Sequence, residues 1–229
     1  MTTRANRSRG MPRRSAPLPE RSSRMPLIIG GSIAALVAVT AVIAILLSSA
    51  QAGPTIAQPA RAPVAVSGEA LIPLADPVSD SAIGQLIPSL SGTGLQGEPV
   101  IIAPGEGPMV IVALAHWCGF CQAEVPVLVD YLAANGMPEG VRLVGLATGI
   151  DPARPNFPPK TWLEREEWTA PTLIDDASSS AMQALGVTEF PGFIFVDTQG
   201  RVVQRVAGQI GADTFAALAN SLATSSASR

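Results

Sequence analysis

The chain has 229 residues, 47% hydrophobic and 14% charged, with a formal net charge of −3, two cysteines and one histidine. Two cysteines exclude a disulfide-stapled miniprotein, and with a single histidine they leave too few soft ligands for a four-ligand zinc centre. Charge is unevenly spread: Arg4, Arg7, Arg9, Arg13, Arg14, Arg21 and Arg24 face one acid, Glu20, so residues 26–229 hold eight basic and 17 acidic side chains, a balance of −9 that argues against a nucleic-acid partner.

Residues 1–25 read as a basic cytoplasmic tail. From Leu27 to Leu47 the chain is uncharged and mostly Ile, Leu, Val and Ala, and these 21 residues at helical rise span about 32 Å, enough for a bilayer core. Residues 26–50 are therefore expected to be a transmembrane signal-anchor helix. The arginines stay inside, so the rest of the chain is expected outside the cytoplasmic membrane. Ala50-Gln51-Ala52 resembles a small-residue cleavage site, and a removed signal peptide is the alternative. Arg13-Arg14 lies too far from the apolar run for a twin-arginine signal.

Residues 51–82, rich in Pro and Ala and without sustained periodicity, read as a linker; 83–224 form one domain of ordinary size, and 225–229 a tail. Within the domain, "MVIVALA" (109–115) is apolar at every position, as a strand covered on both faces requires. Cys121, Val125, Leu128 and Leu132 then recur at helical spacing, giving a helix from Gly119 to about Asn135, although Pro126 lies inside it and no capping motif explains that. "VRLVGLA" (141–147) is a second buried strand, and strand, helix, strand implies a right-handed parallel crossover. "PPKTWLEREEW" predicts a short exposed helix, "PTLIDD" a brief strand and "SSSAMQALGV" a helix closed by Gly186. "GFIFVDTQGRVVQRVAG" predicts an antiparallel hairpin turning at Asp197–Gly200. "ADTFAALANSL" closes the domain as a helix, with Asp213 as its N-cap and Phe215, Leu218 and Leu222 on one face. The expected fold class is α/β, a mixed central sheet flanked by helices.

Every cysteine and the histidine fall in "AHWCGFCQAEVP" (115–126), where the first strand meets the helix. As a structural staple the pair does poorly: closing a four-residue loop stabilises by only about 2 kcal/mol, against nearly 5 for a loop of about 100 residues. As a metal site it offers Cys118, Cys121 and His116, a set soft enough for two- or three-coordinate Cu(I). Covalent haem would need a histidine directly after Cys121, where Gln122 stands. As a reactive dithiol the pair explains position and spacing together. Cys118 at the mouth of the helix faces unpaired N–H groups, which favour a thiolate, while Cys121 lies nearly a turn deeper and resolves the mixed disulfide. Gly119-Phe120 keeps the turn uncharged, and Trp117 either shields the sulfur or simply packs. Glu124, on the helix face of Cys121, is either an acid–base group for that thiol or a solvated carboxylate.

"WCGFCQAEVP" resembles the WCxxCxxExP signature of the TlpA/ResA-like branch of the thioredoxin superfamily, membrane-tethered thiol–disulfide proteins of bacteria. "LSGTGLQGEPVIIAPGEGPMVIVALA" is similar to that family's lead-in hairpin and first core strand, and "ALGVTEFPGFIFVDTQGRVVQRVAGQI" to its second half, so the likeness covers roughly residues 83–222. The resemblance implies a thioredoxin-like fold with an N-terminal hairpin extension, preceded by one transmembrane helix. It also implies that Pro191 is a cis-proline beside the dithiol, that Phe190 offers its backbone to a bound peptide, and that Glu124 is the active-site acid. Three features depart from the family. Ile111 to Leu114 contain no buried Asp, His116 replaces a small residue, and the Gly119-Phe120 dipeptide prevents any redox potential being carried over.

The expected activity is extracytoplasmic thiol–disulfide exchange through Cys118 and Cys121, with Glu124 catalytic and Trp117, Phe190 and Pro191 binding substrate. No cofactor and no resident metal are expected. Partners are thiols or disulfides of exported proteins, apocytochrome c foremost, together with a membrane redox partner and the membrane itself through the N-terminal helix. Two alternatives use the same cysteines: a Cu(I) chaperone, and a net oxidase that introduces disulfides.

Overall fold

The computed structural model describes residues 61–227 other than 77, with side chains to 224. The basic tail, the expected membrane helix and residues 51–60 of the expected linker lie outside the described residues. Among the described residues no helix is long and apolar enough to cross a membrane.

The described residues form eight strands: β1 (Ala65–Ser67), β2 (Ser89–Thr93), β3 (Pro99–Ile102), β4 (Met109–Leu114), β5 (Arg142–Ala147), β6 (Thr172–Ile174), β7 (Gly192–Val196) and β8 (Val202–Ala207). The same residues form four helices: α1 (Gly119–Asn135), α2 (Pro159–Arg165), α3 (Ser180–Ala184) and α4 (Gly211–Ala227). The main sheet has the order β6-β5-β4-β7-β8. β4, β5 and β6 run parallel, and β7 and β8 are antiparallel additions.

The apolar run of β4 explains the layering. Met109, Ile111 and Ala113 enter one core with Val144, Leu146, Leu173 and Ile194, whereas Val110, Val112 and Leu114 enter the opposite core with Val125 and Leu128 of α1 and Phe215 and Leu222 of α4. Alternate side chains of a central strand point to opposite faces, so a strand covered on both sides must be apolar throughout. At the far end of β7 the chain reverses at Asp197–Gly200. Asp197 Oδ1 accepts the Gln199 and Arg201 N–H groups, and Gly200 takes φ +80°, where a Cβ would meet Pro104 at 2.5 Å.

The structure differs from the expected linker. From residue 64 the chain is part of the domain: β1 pairs with β2, β2 with β3, and Val64, Leu71 and Ala82 are buried. Arg205, reaching from β8, donates through Nε to Asp80 Oδ2 at 2.8 Å, and its second amino group bonds Oδ1. Arg205 Nη1 also donates to the Leu185 and Gly186 carbonyls. The Leu71 and Leu74 N–H groups donate to Ala184 and Gly186 carbonyls, so this stretch crosses the domain as a strap. Pro and Ala suggest a linker because they break periodicity, but a strap held by scattered backbone bonds needs no periodicity. At the other end α4 begins at Gly211 and runs to Ala227, placing Asp213 in its first turn rather than at its cap.

Candidate active site

α1 starts where β4 ends, and the connection Ala115–Cys118 carries the site. Cys118 occupies the N-cap position with extended φ and ψ of −75° and 119°, and makes no side-chain cap bond. The first-turn amides of α1 are thereby left without a capping side chain from Cys118. Cys118 Sγ donates to the Phe190 carbonyl at 3.5 Å. The Phe190–Pro191 peptide bond is cis, as is Phe157–Pro158. Around Cys118 opens a groove of about 390 Å³ lined by Trp117, Phe120, Glu189, Phe190, Gly208 and Gln209. Phe120 is 64% exposed at its rim.

Cys121 sits one helical step inward with no exposed surface, and both cysteines are free thiols. Burial pushes the Cys121 thiol far above its ordinary range. The neighbouring Cys118 and the Glu124 carboxylate push the same way, against a bond with the Ala115 backbone. Cys121 is thus held as a protonated thiol behind Cys118.

Glu124 is buried rather than solvated. Its Oε1 accepts the N–H groups of Ile210 and Gly211 at 3.2 and 2.9 Å, which are the amides at the start of α4. A helix leaves its first N–H groups without internal partners, and a carboxylate there also meets the positive end of the helix dipole. Glu124 therefore fastens α4 to α1 with one oxygen, leaving Oε2 outside those bonds. This is why Asp213 is not needed as the cap. Gly208 and Gln209, which line the groove, directly precede these amides, so Glu124 also anchors that part of its lining.

Trp117 is fixed by three contacts: its Nε1–H donates to the Gly149 carbonyl at 2.6 Å, the Arg154 guanidinium lies 4.1 Å from its ring centroid, and Phe190 meets it edge-on at 6.1 Å. Gly149 takes φ +58°, and a Cβ there would press on Phe190 at 3.3 Å. His116 is fully buried, with Nδ1 2.6 Å from the Pro155 carbonyl and Nε2 accepting the Asp151 N–H at 3.2 Å. Both ring nitrogens are committed away from the sulfurs, so the imidazole does not join Cys118 and Cys121 in a ligand set. Among the described residues no group of three or more His, Cys, Asp or Glu side chains could hold a metal ion.

The structure thus gathers Trp117, Cys118, Cys121, Glu124, Phe190 and Pro191 around one turn. Sequence reasoning missed Gly149, Asp151, Arg154 and Pro155, which support that turn from the loop after β5, and Glu189, Gly208 and Gln209, which line the groove. Nothing in their local pattern marks them, since they come together only when β5 and β7 flank β4.

The family model described as Redoxin matches residues 82–222. The thiol-disulfide oxidoreductase ResA of Bacillus thuringiensis subsp. konkukian (strain 97-27) is 23% identical over 128 residues, 56% of this chain and 70% of that protein. Among solved structures, a thioredoxin-family thiol:disulfide interchange protein from Chlorobium tepidum TLS is 21% identical with a TM-score of 0.51, covering 62% of this chain and 99% of its own. A DsbF homologue from Corynebacterium diphtheriae is 19% identical with a TM-score of 0.53, covering 68% and 99%. The shared architecture is the thioredoxin-like α/β fold, a mixed sheet flanked by helices.

Proposed function

This chain belongs to the redoxin family and is a thiol–disulfide oxidoreductase; we propose that its Cys118–Cys121 dithiol reduces disulfides in exported proteins, with the cysteines of apocytochrome c as the leading substrate. The observation that carries this reading is the division of labour between the sulfurs. Cys118 borders the groove beside the Phe190 carbonyl, and Cys121 waits behind it as a buried thiol.

The sulfur of Cys118, as thiolate, attacks one sulfur of a substrate disulfide. The S–S bond breaks, one substrate thiolate leaves, and a mixed disulfide joins Cys118 to the substrate. Cys121 then loses its proton to the Glu124 carboxylate and attacks Cys118 Sγ. The second substrate sulfur leaves as thiolate, and the protein keeps a Cys118–Cys121 disulfide. Two electrons have passed to the substrate, and a membrane redox partner must return them. The proposed setting is a single N-terminal membrane helix with its arginine-rich end in the cytoplasm and this domain outside.

Equilibrium titration of the Cys118–Cys121 couple against dithiothreitol and glutathione, paired with reduction of a disulfide-bonded Cys-x-x-Cys-His peptide, tests direction and substrate together. A couple more reducing than glutathione, with stoichiometric opening of the peptide, is expected. A strongly oxidising couple that leaves the peptide closed would sink the reductase reading, since about 30 mV already corresponds to about 1.4 kcal/mol.

A further inference from the structure

His116 is an unusual neighbour for a reactive thiol: an ionisable ring two residues before Cys118, with no exposed surface and both ring nitrogens engaged. A carbonyl can only accept, so the 2.6 Å contact with Pro155 places the ring hydrogen on Nδ1. A backbone amide can only donate, so the Asp151 contact requires a lone pair on Nε2. The neutral Nδ1–H tautomer alone satisfies both. Asp151 and Pro155 belong to the same loop, residues 149–157, which runs from the end of β5 toward α2.

That loop is fastened to the turn bearing Cys118 at further points. Asn156 Nδ2 donates to the His116 carbonyl at 3.3 Å, and Phe157 packs edge-on against the imidazole at 5.9 Å. Gly149 accepts the Trp117 indole N–H, and Arg154 covers the Trp117 ring. Trp117 in turn lines the groove and touches Phe190. The Trp117 part of the groove is therefore braced through His116, just as the segment after Gln209 is braced through Glu124.

We propose that neutral His116 is a positioning residue that clasps loop 149–157 to the active-site turn and thereby holds Trp117 in the wall of the groove, and that protonation of its imidazole opens the clasp. A proton on Nε2 would point at the Asp151 amide hydrogen, removing an acceptor and setting two donors against each other. The charged groups facing the ring are Asp151 and Arg154 of the loop and Arg61 ahead of β1. Asp151 favours the protonated form and both arginines oppose it. Burial is the largest influence and holds the imidazole below its ordinary range, so the clasp is closed at neutral pH and opens on acidification. The consequence for exchange is selective: a protein disulfide that must lie in the groove loses its Trp117 wall, whereas a small disulfide needs only the Cys118 sulfur.

The inference rests on the exchange reaction proposed above, but its first test does not use that reaction. His116 is the single histidine among 229 residues and Trp117 one of three tryptophans. In ¹⁵N NMR of the reduced full chain in detergent micelles, the Trp117 indole N–H resonance is expected to move with the same midpoint as the His116 ring, below pH 6.5, while Trp162 and Trp168 stay in place. His116→Asn supplies a donor for Pro155 without a titrating ring, and its Trp117 resonance is expected to be independent of pH. A His116 ring that gains its proton while Trp117 does not move would overturn the proposal. So would an unchanged Trp117 titration in His116→Asn. The second test compares rates with a disulfide-bonded peptide and with dithionitrobenzoate in the same reduced protein, so that the reactivity of Cys118 cancels in the ratio. That ratio is expected to fall about tenfold across the His116 titration and to stay level in His116→Asn; a level ratio in the unaltered chain refutes the clasp. Failure of both disulfides to react at any pH would instead refute the exchange reading, and the indole titration would still decide the role of His116.

Discussion

Cys118 and Cys121 are identical side chains three residues apart at the start of one helix, both buried, and the fold still gives them different surroundings. Cys118 stands outside the first turn of α1, at a groove, next to a carbonyl that belongs to a different strand connection. Cys121 points into the core shared by α1, α4 and the sheet, where Val125, Leu128 and Phe215 exclude water. The difference teaches that order of attack is set by the protein around the sulfurs, not by the sulfurs. A sulfur that lines the groove can meet a disulfide laid in it, whereas one with no exposed surface can meet only what its neighbour brings to it.

The sharpest way to break the comparison is to remove one sulfur at a time. Cys121→Ser leaves the sulfur that lines the groove and no resolving partner, so mixed disulfides with substrate accumulate through Cys118. Cys118→Ser leaves a buried, protonated thiol, and no adduct forms. Both variants lose turnover by about a thousandfold or more, because the two sulfurs act as a unit. Non-reducing electrophoresis after mixing with a disulfide-bonded peptide separates them, and equal trapping by the two variants would falsify the assigned order.

Next in size is a change far from both thiols. The side chains of Asp80 and Arg205 are each almost fully buried and bonded through two pairs of atoms, and removing one partner of such a pair costs about 3–5 kcal/mol because the other charge is left stranded. Asp80→Ala is therefore expected to lower stability in urea by about that amount while the first cysteine remains the one that is trapped. The bond to Arg205 lowers the Asp80 carboxyl below its ordinary value of 3.8. Its folded form thus holds fewer protons than its unfolded form in that window. The stabilisation is complete above pH 3.8 and is lost as pH falls through the lowered value. A urea midpoint in Asp80→Ala that matches the unaltered chain at pH 7 would show that the strap is not held by this pair.

How much of this was legible beforehand follows from what kind of pattern each part leaves. β4 and α1 were readable because burial on two faces makes a strand apolar throughout and burial on one face gives a helix its 3.6-residue recurrence. The two cysteines stood out by their spacing, and the turn at Asp197–Gly200 by its residue types. The strap from Val64 to Ile87 left no such pattern, since it is held by Asp80, by backbone bonds of Leu71 and Leu74, and by the isolated side chains Val64, Leu71 and Ala82. For Glu124 the helix face was legible but the partner was not. That its oxygen caps a helix beginning 87 residues later depends on α4 returning to pack beside α1. His116 was visible as a departure, and only the loop after β5 gives it a task.

Glu124 offers the finest test of the contrast, because two substitutions separate its roles as a brace and as a proton acceptor. Hydrogen bonds to a charged group contribute about 1.5–3 kcal/mol, so Glu124→Ala, which abandons the Ile210 and Gly211 amides, is expected to destabilise the fold by about that much and to loosen the Gly208–Gln209 side of the groove. Glu124→Gln keeps an acceptor oxygen for both amides, so the stability loss is expected to be smaller, yet an amide cannot take the proton that Cys121 must release. General acid–base groups accelerate by about a hundredfold or more, so the second step, closure of the Cys118–Cys121 disulfide with release of substrate, should slow by about that factor while formation of the mixed disulfide proceeds. Rapid-quench kinetics would resolve the two steps. If Glu124→Gln closed the disulfide as fast as the unaltered protein, the carboxylate would be a brace alone, and Cys121 would have to deliver its proton elsewhere. If Glu124→Ala and Glu124→Gln lost equal stability, the charge of Glu124, rather than its bond to the start of α4, would be what holds the two helices together.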